Sequence, residues 1–223
     1  TYGSDKPDRR FDMKLIDVTK DLKDCEFRVF SGAVANGGVV KAINAKGFAD
    51  ISTGQIDKLT QLAQEAGAKG LAYIQARDVD RKTWRSPFVK RMTDEEIEAL
   101  RTKLNIEPGD LILFAADKWD AACDVLGRMR LAVAELKNLL EGNTDVDLLW
   151  VTDFPLLAFD AEEEKWNAVH HPFTRPKAED MDKLEAGDYA NIRAEAYDVV
   201  LNGNEIGGGS IRIHEQELQQ KMF

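Results

Sequence analysis

An Asn-Gly pair at Asn202-Gly203, set between two strand-like runs, constrains this chain more than any other feature. Two-residue loops of this kind form type I′ turns, whose positive φ angles Asn and Gly tolerate and whose twist suits antiparallel strands. Residues 196–201 and 205–213 therefore read as one hairpin, with Leu201 opposite Asn204 and Val200 opposite Glu205. Asp198 then shares a face with Glu205, one diagonal step of about 7–8 Å away at Cα. Two carboxylates this close, beside valines, are unfavourable for stability alone. A divalent cation would neutralise them and take their oxygens as ligands. A solvated hairpin with two exposed acids is the competing reading, and the hairpin alone does not separate the two.

The second strand runs into Gly207-Gly208-Gly209-Ser210-Ile211-Arg212. Glycines weaken a strand and mark a bulge or a close approach by another group. The planar fork of Arg212 suits a carboxylate. Simple alternation puts Arg212 on the face opposite Glu205. If both serve one pocket, a bulge within Gly207–Gly209 must flip the downstream parity. His170-His171-Pro172-Phe173-Thr174 holds two of the three histidines. Neighbours on a strand point to opposite faces, so the pair cannot chelate one metal from regular backbone. One packed and one solvated histidine is the plain reading; substrate binding is the functional one.

The middle of the chain alternates strand and helix signals. Phe27, Val29 and Phe30 read as a strand, joined through Asn36-Gly37-Gly38 to a second strand over 39–43. Ser52 or Thr53 caps a helix with Ile56, Leu59, Leu62 and Ala63 on one face, stopped at Gly67. Residues 71–74 and 111–115 give two more strands. Thr93-Asp94-Glu95-Glu96 opens a helix as a capping box. Residues 118–140 carry the longest apolar stripe. The expectation is an α+β unit over 25–141: four strands backed by helices on one face, with the 94–104 helix as an insertion. Residues 1–24 read as a loop and linker, and 142–223 as mostly strand.

At 223 residues, one large domain or two small ones fit. The net charge of −10 argues against a general polyanion-binding surface. The stretch Arg81-Lys82-Thr83-Trp84-Arg85 with Lys90-Arg91 holds five bases in eleven residues; it is read as a solvated loop, or as an RNA contact with Trp84 stacking on a base. Cys25 and Cys123 exclude a dense disulfide framework and any CxxC zinc site, and are expected as buried small hydrophobes. No apolar run reaches about 18 residues and no basic-then-apolar leader opens the chain, so no membrane partner and a cytoplasmic location are expected. The start at Thr1 suggests a piece of a longer chain.

Four motifs together resemble the bacterial-type aspartyl-tRNA synthetase family. They are Tyr2-Gly3-Ser4-Asp5-Lys6-Pro7-Asp8, Trp150-Val151-Thr152-Asp153-Phe154-Pro155, the His170–Thr174 segment, and the run from Ala196 through Asn202-Gly203 and the three glycines to His214. The middle unit, including Gly67-Ala68-Lys69-Gly70-Leu71-Ala72-Tyr73-Ile74, resembles the GAD domain inserted in those enzymes. The resemblance covers the whole chain. It implies a GAD-type sheet flanked by pieces of a class II antiparallel catalytic sheet.

By that resemblance, His170, His171, Ser210 and Arg212 bind substrate aspartate, with Arg212 on its side-chain carboxylate. Glu205 lies at ATP, and Asp198 and Glu205 lie at its magnesium (Mg2+). No nucleophile or general base is assigned, because the substrate carboxylate itself attacks the α-phosphate. The implied activity is a ligase that attaches aspartate to tRNA through an aspartyl-adenylate made from ATP. The family's anticodon-binding domain and its motifs 1, 2 and 3 find no match in these residues, so this chain alone is expected to be inactive. A homodimer is implied for the parent, with a monomer open for the fragment. An autonomous GAD-type binding module and a piece of a tRNA-dependent amidotransferase are the alternatives.

Overall fold

The computed structural model describes residues 1–222, whose contacts divide into two units. The first comprises Thr1–Ser4 and Phe11–Thr144, and the second comprises Asp5–Arg10 with the chain from Asp145 onward.

In the first unit, β1 (Ile16–Asp17), α1 (Thr19–Leu22) and α2 (Arg28–Ala35) lead to β2 (Val39–Ala45) and α3 (Thr53–Glu65). Then follow β3 (Ala72–Ala76), α4 (Asp94–Lys103), β4 (Asp110–Asp117) and α5 (Trp119–Leu136). The strands form one antiparallel sheet in the order β1-β2-β4-β3. Alternation along the central strands divides their side chains between two cores. Ile43, Ala45, Leu111, Leu113 and Ala115 pack with Ile56, Leu59 and Ala63 of α3 and Ala122, Val125, Leu126, Met129 and Val133 of α5. Val40, Ala42, Ile74, Ala76, Ile112 and Phe114 pack with Phe30 of α2 and Ile97 and Leu100 of α4. Each such aliphatic side chain, fully buried, contributes about 1.5–3 kcal/mol of transfer free energy.

Helices cover both faces of the sheet, not one as expected, and α4 is part of the second core, not an insertion. A strand of so many consecutive buried residues requires cover on both sides: β2 is buried from Val40 through Ala45. The run at Phe27–Phe30 is helical, and its expected place in the sheet falls to β1. Phe27, Phe30, Phe88 and Phe114 form an aromatic cluster with centroid separations of 4.8–5.5 Å. That packing rewards a helical face over an alternating strand. Residues 11–24, expected as loop and linker, instead bury Phe11, Met13, Val18 and Leu22 in the first unit's cores.

Local signals set the helix ends. Ser52 and Thr93 each accept a hydrogen bond from the N3 backbone, and the Gln55 and Glu96 side chains accept one in turn from the cap's backbone N–H. Gly67 follows the end of α3 with φ +94°, a conformation that side-chain-bearing residues resist. Cys25 is buried, whereas Cys123 is only half-buried.

The second unit holds β5 (Leu148–Thr152), the hairpin β6 (Leu157–Asp160) and β7 (Lys165–Ala168), α6 (Met181–Ala186), β8 (Ala196–Leu201), β9 (Asn204–Ser210) and α7 (Gln216–Lys221). Its main sheet has the order β5-β8-β9, antiparallel throughout. A small core of Leu156, Leu184, Ile192, Ala194, Ala196, Ile213 and Leu218 underlies it. The acidic turn between β6 and β7 is held by Asp160, whose Oδ1 accepts from the Glu162 and Glu163 N–H groups. Among the described residues, no helix is long and apolar enough to cross a membrane.

Candidate functional site

The hairpin carries most of the candidate residues. Asn202 and Gly203 have φ of +52° and +78°, as a type I′ turn requires. Leu201 pairs with Asn204 and Val200 with Glu205. Val199 then faces Gly207, so Ile206 is an extra residue on β9. This bulge stands one residue ahead of the three glycines instead of among them. It still lies between Glu205 and Arg212, and so reverses the parity of everything downstream. Asp198 pairs with Gly208, and alternation from there places Gly208, Ser210 and Arg212 on the Asp198 face.

Gly208 lies close against its cross-strand neighbours. A Cβ there would collide with Asp198 Oδ1 across the pair. The close approach comes from a carboxylate of the same chain.

Glu205 meets a cation that sequence reasoning missed. Lys6 Nζ lies 2.9 Å from Glu205. The hydrogen bond and charge of Glu205 hold the ammonium above its ordinary range, and the charges of Asp5 and Asp198 add to the effect. Such pairing across so long a stretch of sequence leaves no local signal. Asp8 packs under the turn: a Cβ on Gly203 would sit 3.0 Å from its Cβ. Arg9 binds Asp147 through its side chain and its backbone N–H. These contacts seat residues 5–10 on the sheet.

Magnesium is usually held by one or two carboxylates together with substrate phosphates. Asp198 and Glu205 supply hard oxygen donors of that kind. Among the described residues, no group of three His, Cys, Asp or Glu side chains is placed to hold a metal ion. Asp198 and Glu205 could hold such an ion only together with oxygens from a bound ligand.

The histidine segment enters the same sheet region as a short extension. Arg175 N–H donates to Ile211 O, Glu195 N–H to Arg175 O, and Ile213 N–H to Phe173 O. Thr174 bridges to Arg212 and Pro176 to Ala194. Residues 173–176 thus lie between 193–195 and 211–213. A charge network anchors them. Arg193 grips the buried Asp180 at 2.7 Å, Lys183 reaches the same carboxylate at 2.7 Å, and Lys177 bonds Asp153. The hydrogen bonds from Arg193 and Lys183 hold the Asp180 carboxyl far below the usual range.

This places His171, Phe173 and Arg212 together. The His171 ring stands 4.9 Å from Phe173, and its Nδ1 accepts the Phe173 N–H at 3.1 Å. Arg212 lies over the Phe173 ring of that edge-on pair, 4.6 Å from its centroid. Stacking uses the guanidinium face and leaves the in-plane fork for a carboxylate. His170 is not drawn into this cluster; it packs edge-on against Phe154 at 4.8 Å. Both histidines and Ser210 are exposed. The expectation that Trp84 could stack on a base is overturned. Trp84 is 7% exposed, and its indole N–H donates to Asp78 O at 2.8 Å.

Residues 30–126 match the GAD domain family model. The chain contains that domain, and along its entire length it is similar to aspartate–tRNA ligases. It is 50% identical over 222 residues to the aspartate–tRNA ligase of Agathobacter rectalis and to the aspartate–tRNA(Asp/Asn) ligase of Lachnoclostridium phytofermentans. It is 48% identical over 223 residues to the aspartate–tRNA(Asp/Asn) ligase of Methylacidiphilum infernorum. Each alignment covers all of this chain, which spans 36% of the length of these relatives. A whole-length likeness to ligases does not favour the amidotransferase alternative.

Proposed function

We propose that this chain is part of a ligase that joins aspartate to tRNA, and that its second unit carries the aspartate subsite. The observation that carries this reading is the 50% identity to aspartate–tRNA ligases, which extends without a break through both units. The hairpin geometry supports it, because the bulge at Ile206 lets one sheet face offer an arginine fork and a carboxylate pair.

In this reading Arg212 takes the side-chain carboxylate of aspartate through two parallel hydrogen bonds. His171, held by the Phe173 N–H, presents Nε2 to the same substrate, with His170 and Ser210 beside it. Asp198 and Glu205 would hold magnesium, which when bound offsets the negative charge of the triphosphate. The amino acid's own α-carboxylate forms a bond to the α-phosphorus of ATP as the bond to pyrophosphate breaks. The tRNA 3′ hydroxyl then takes the aspartyl group and AMP leaves. The protein's share is positioning and charge, with no nucleophile of its own. The parent protein is read as a cytoplasmic homodimer.

Exchange of pyrophosphate into ATP tests the reading. The full-length protein should catalyse it only with aspartate present. The 223-residue chain alone should stay at the level of a heat-killed control. Aspartate-independent exchange, or none, by the full-length protein would remove the reading.

A further inference from the structure

The GAD unit holds a cleft of about 740 Å3, lined by none of the candidate site residues described above. Small-ligand and peptide pockets commonly span about 300–1,000 Å3. Its position follows from the sheet. β2 accompanies β4 as far as Val39 opposite Asp117, but β3 stops at Ala72 opposite Phe114. Ala115, Ala116 and Asp117 therefore have a neighbouring strand on one side only, among the described residues. The cleft occupies the place a longer β3 would have filled. Val29 and Ala33 of α2 line it from one layer, Ala121 and Val125 of α5 from the other, and residues 67–71 close the end.

Two features of the lining point to an occupant. Gly32 stands inside α2, where glycine costs about 1 kcal/mol relative to alanine. A Cβ at Gly32 would meet nothing within 4 Å, so packing does not require the glycine and the space beside it is open. Arg28, Lys69 and Lys118 stand exposed at the rim, against the single acid Asp117. Asp117 already accepts the Lys118 N–H. The cations come from α2, the 67–71 loop and the start of α5, so they flank the open edge from both layers.

We propose that this cleft binds an extended acidic peptide, which adds a short strand to the free edge of β4. Backbone pairing with residues 115–117 supplies the affinity, as in other strand-addition sites. Residues two apart on a strand share a face, so the acidic side chains of one face meet Lys69 and Lys118, the small apolar residues of the other fill the space beside Gly32, and Arg28 adds its charge at the rim. The proposal is independent of the ligase reading, since it uses no residue of the second unit.

The test uses the 223-residue chain and a fluorescein-labelled Asp-Val-Asp-Val-Asp peptide, with anisotropy for affinity and amide NMR for location. Binding should be saturable and should shift the amides of Ala115–Asp117. The double variant Arg28→Glu, Lys69→Glu should weaken it by roughly tenfold or more. Gly32→Leu, which fills the cleft, should do the same while leaving the remaining amide spectrum dispersed. Equal binding of a Lys-Val-Lys-Val-Lys peptide would overturn the proposal. So would preference for a short single-stranded RNA, shifts elsewhere, or retention of affinity by both variants. The charge variant acts at exposed positions, so it decides the matter even if Gly32→Leu does not fold.

Discussion

Removing the carboxylate of Asp110 should destabilise the GAD unit more than most single changes. Asp110 begins β4 and is 2% exposed. Its Oδ1 accepts the Gly47 N–H at 3.0 Å. Its Oδ2 accepts from Glu107 N at 2.9 Å, Asn44 Nδ2 at 2.9 Å and Lys46 Nζ at 3.0 Å. Asp110→Ala leaves the Gly47 and Glu107 N–H groups without this acceptor; Asn44 Nδ2 keeps the Leu104 and Asn105 carbonyls, and Lys46 is half-exposed and can rehydrate. At about 1–3 kcal/mol for each donor left unpaired, with some access of water, the loss is about 2–4 kcal/mol. Domains of this size are typically stable by about 5–15 kcal/mol, so the effect is a large fraction of the whole. Asp110→Asn keeps one acceptor oxygen but turns an amide donor toward other donors, and should lose about half as much. Urea unfolding, followed by the amide signals of β2 and β4, measures both. A fall in midpoint at constant slope is the expected form. A loss under about 1 kcal/mol for Asp110→Ala, with the sheet intact, would refute the reasoning.

Other expectations follow from the same contacts. Burial alone would raise the Asp110 carboxyl, but its hydrogen bonds from Glu107, Asn44, Gly47 and Lys46 outweigh that and hold it below its ordinary value of 3.8. Its stabilising contribution is therefore complete above that pH and lost as pH falls through the lower folded value, so the stability gap between wild type and Asp110→Asn should close in strong acid. Thr93→Ala removes the cap of α4 and should cost about 1 kcal/mol in the same urea assay. Asp198→Asn in the full-length protein should raise the magnesium concentration needed for pyrophosphate exchange, while leaving the aspartate KM nearly unchanged.

The parts of the structure set by neighbouring residues were readable from the chain. Asn202-Gly203 specifies the pairing of Leu201 with Asn204 because the turn geometry leaves no other register. Ser52 and Thr93 announce helix starts because their partners Gln55 and Glu96 stand three residues away. The failures have a common origin in distant contacts. A short apolar run such as Phe27–Phe30 fits either element, and Phe88 and Phe114 decide it from far along the chain. The two residues of β1 are too few to show a period. At the candidate site, the need for a bulge was visible from parity, but its placement at Ile206 was not. Lys6 beside Glu205 and Arg212 over Phe173 depend on how the N-terminal loop and the histidine segment meet the sheet.

The central claim is that Arg212 holds the carboxylate of aspartate, and steady-state pyrophosphate exchange by the full-length Arg212→Lys variant tests it most directly. Lysine keeps the charge but loses the second parallel hydrogen bond and the stacked, fixed plane. Losing one charge-assisted bond costs about 1.5–3 kcal/mol, or roughly tenfold to a hundredfold. The account predicts that kcat/KM for aspartate falls by that factor while the KM for ATP stays put. An unchanged response to aspartate, or an effect confined to ATP, would contradict it.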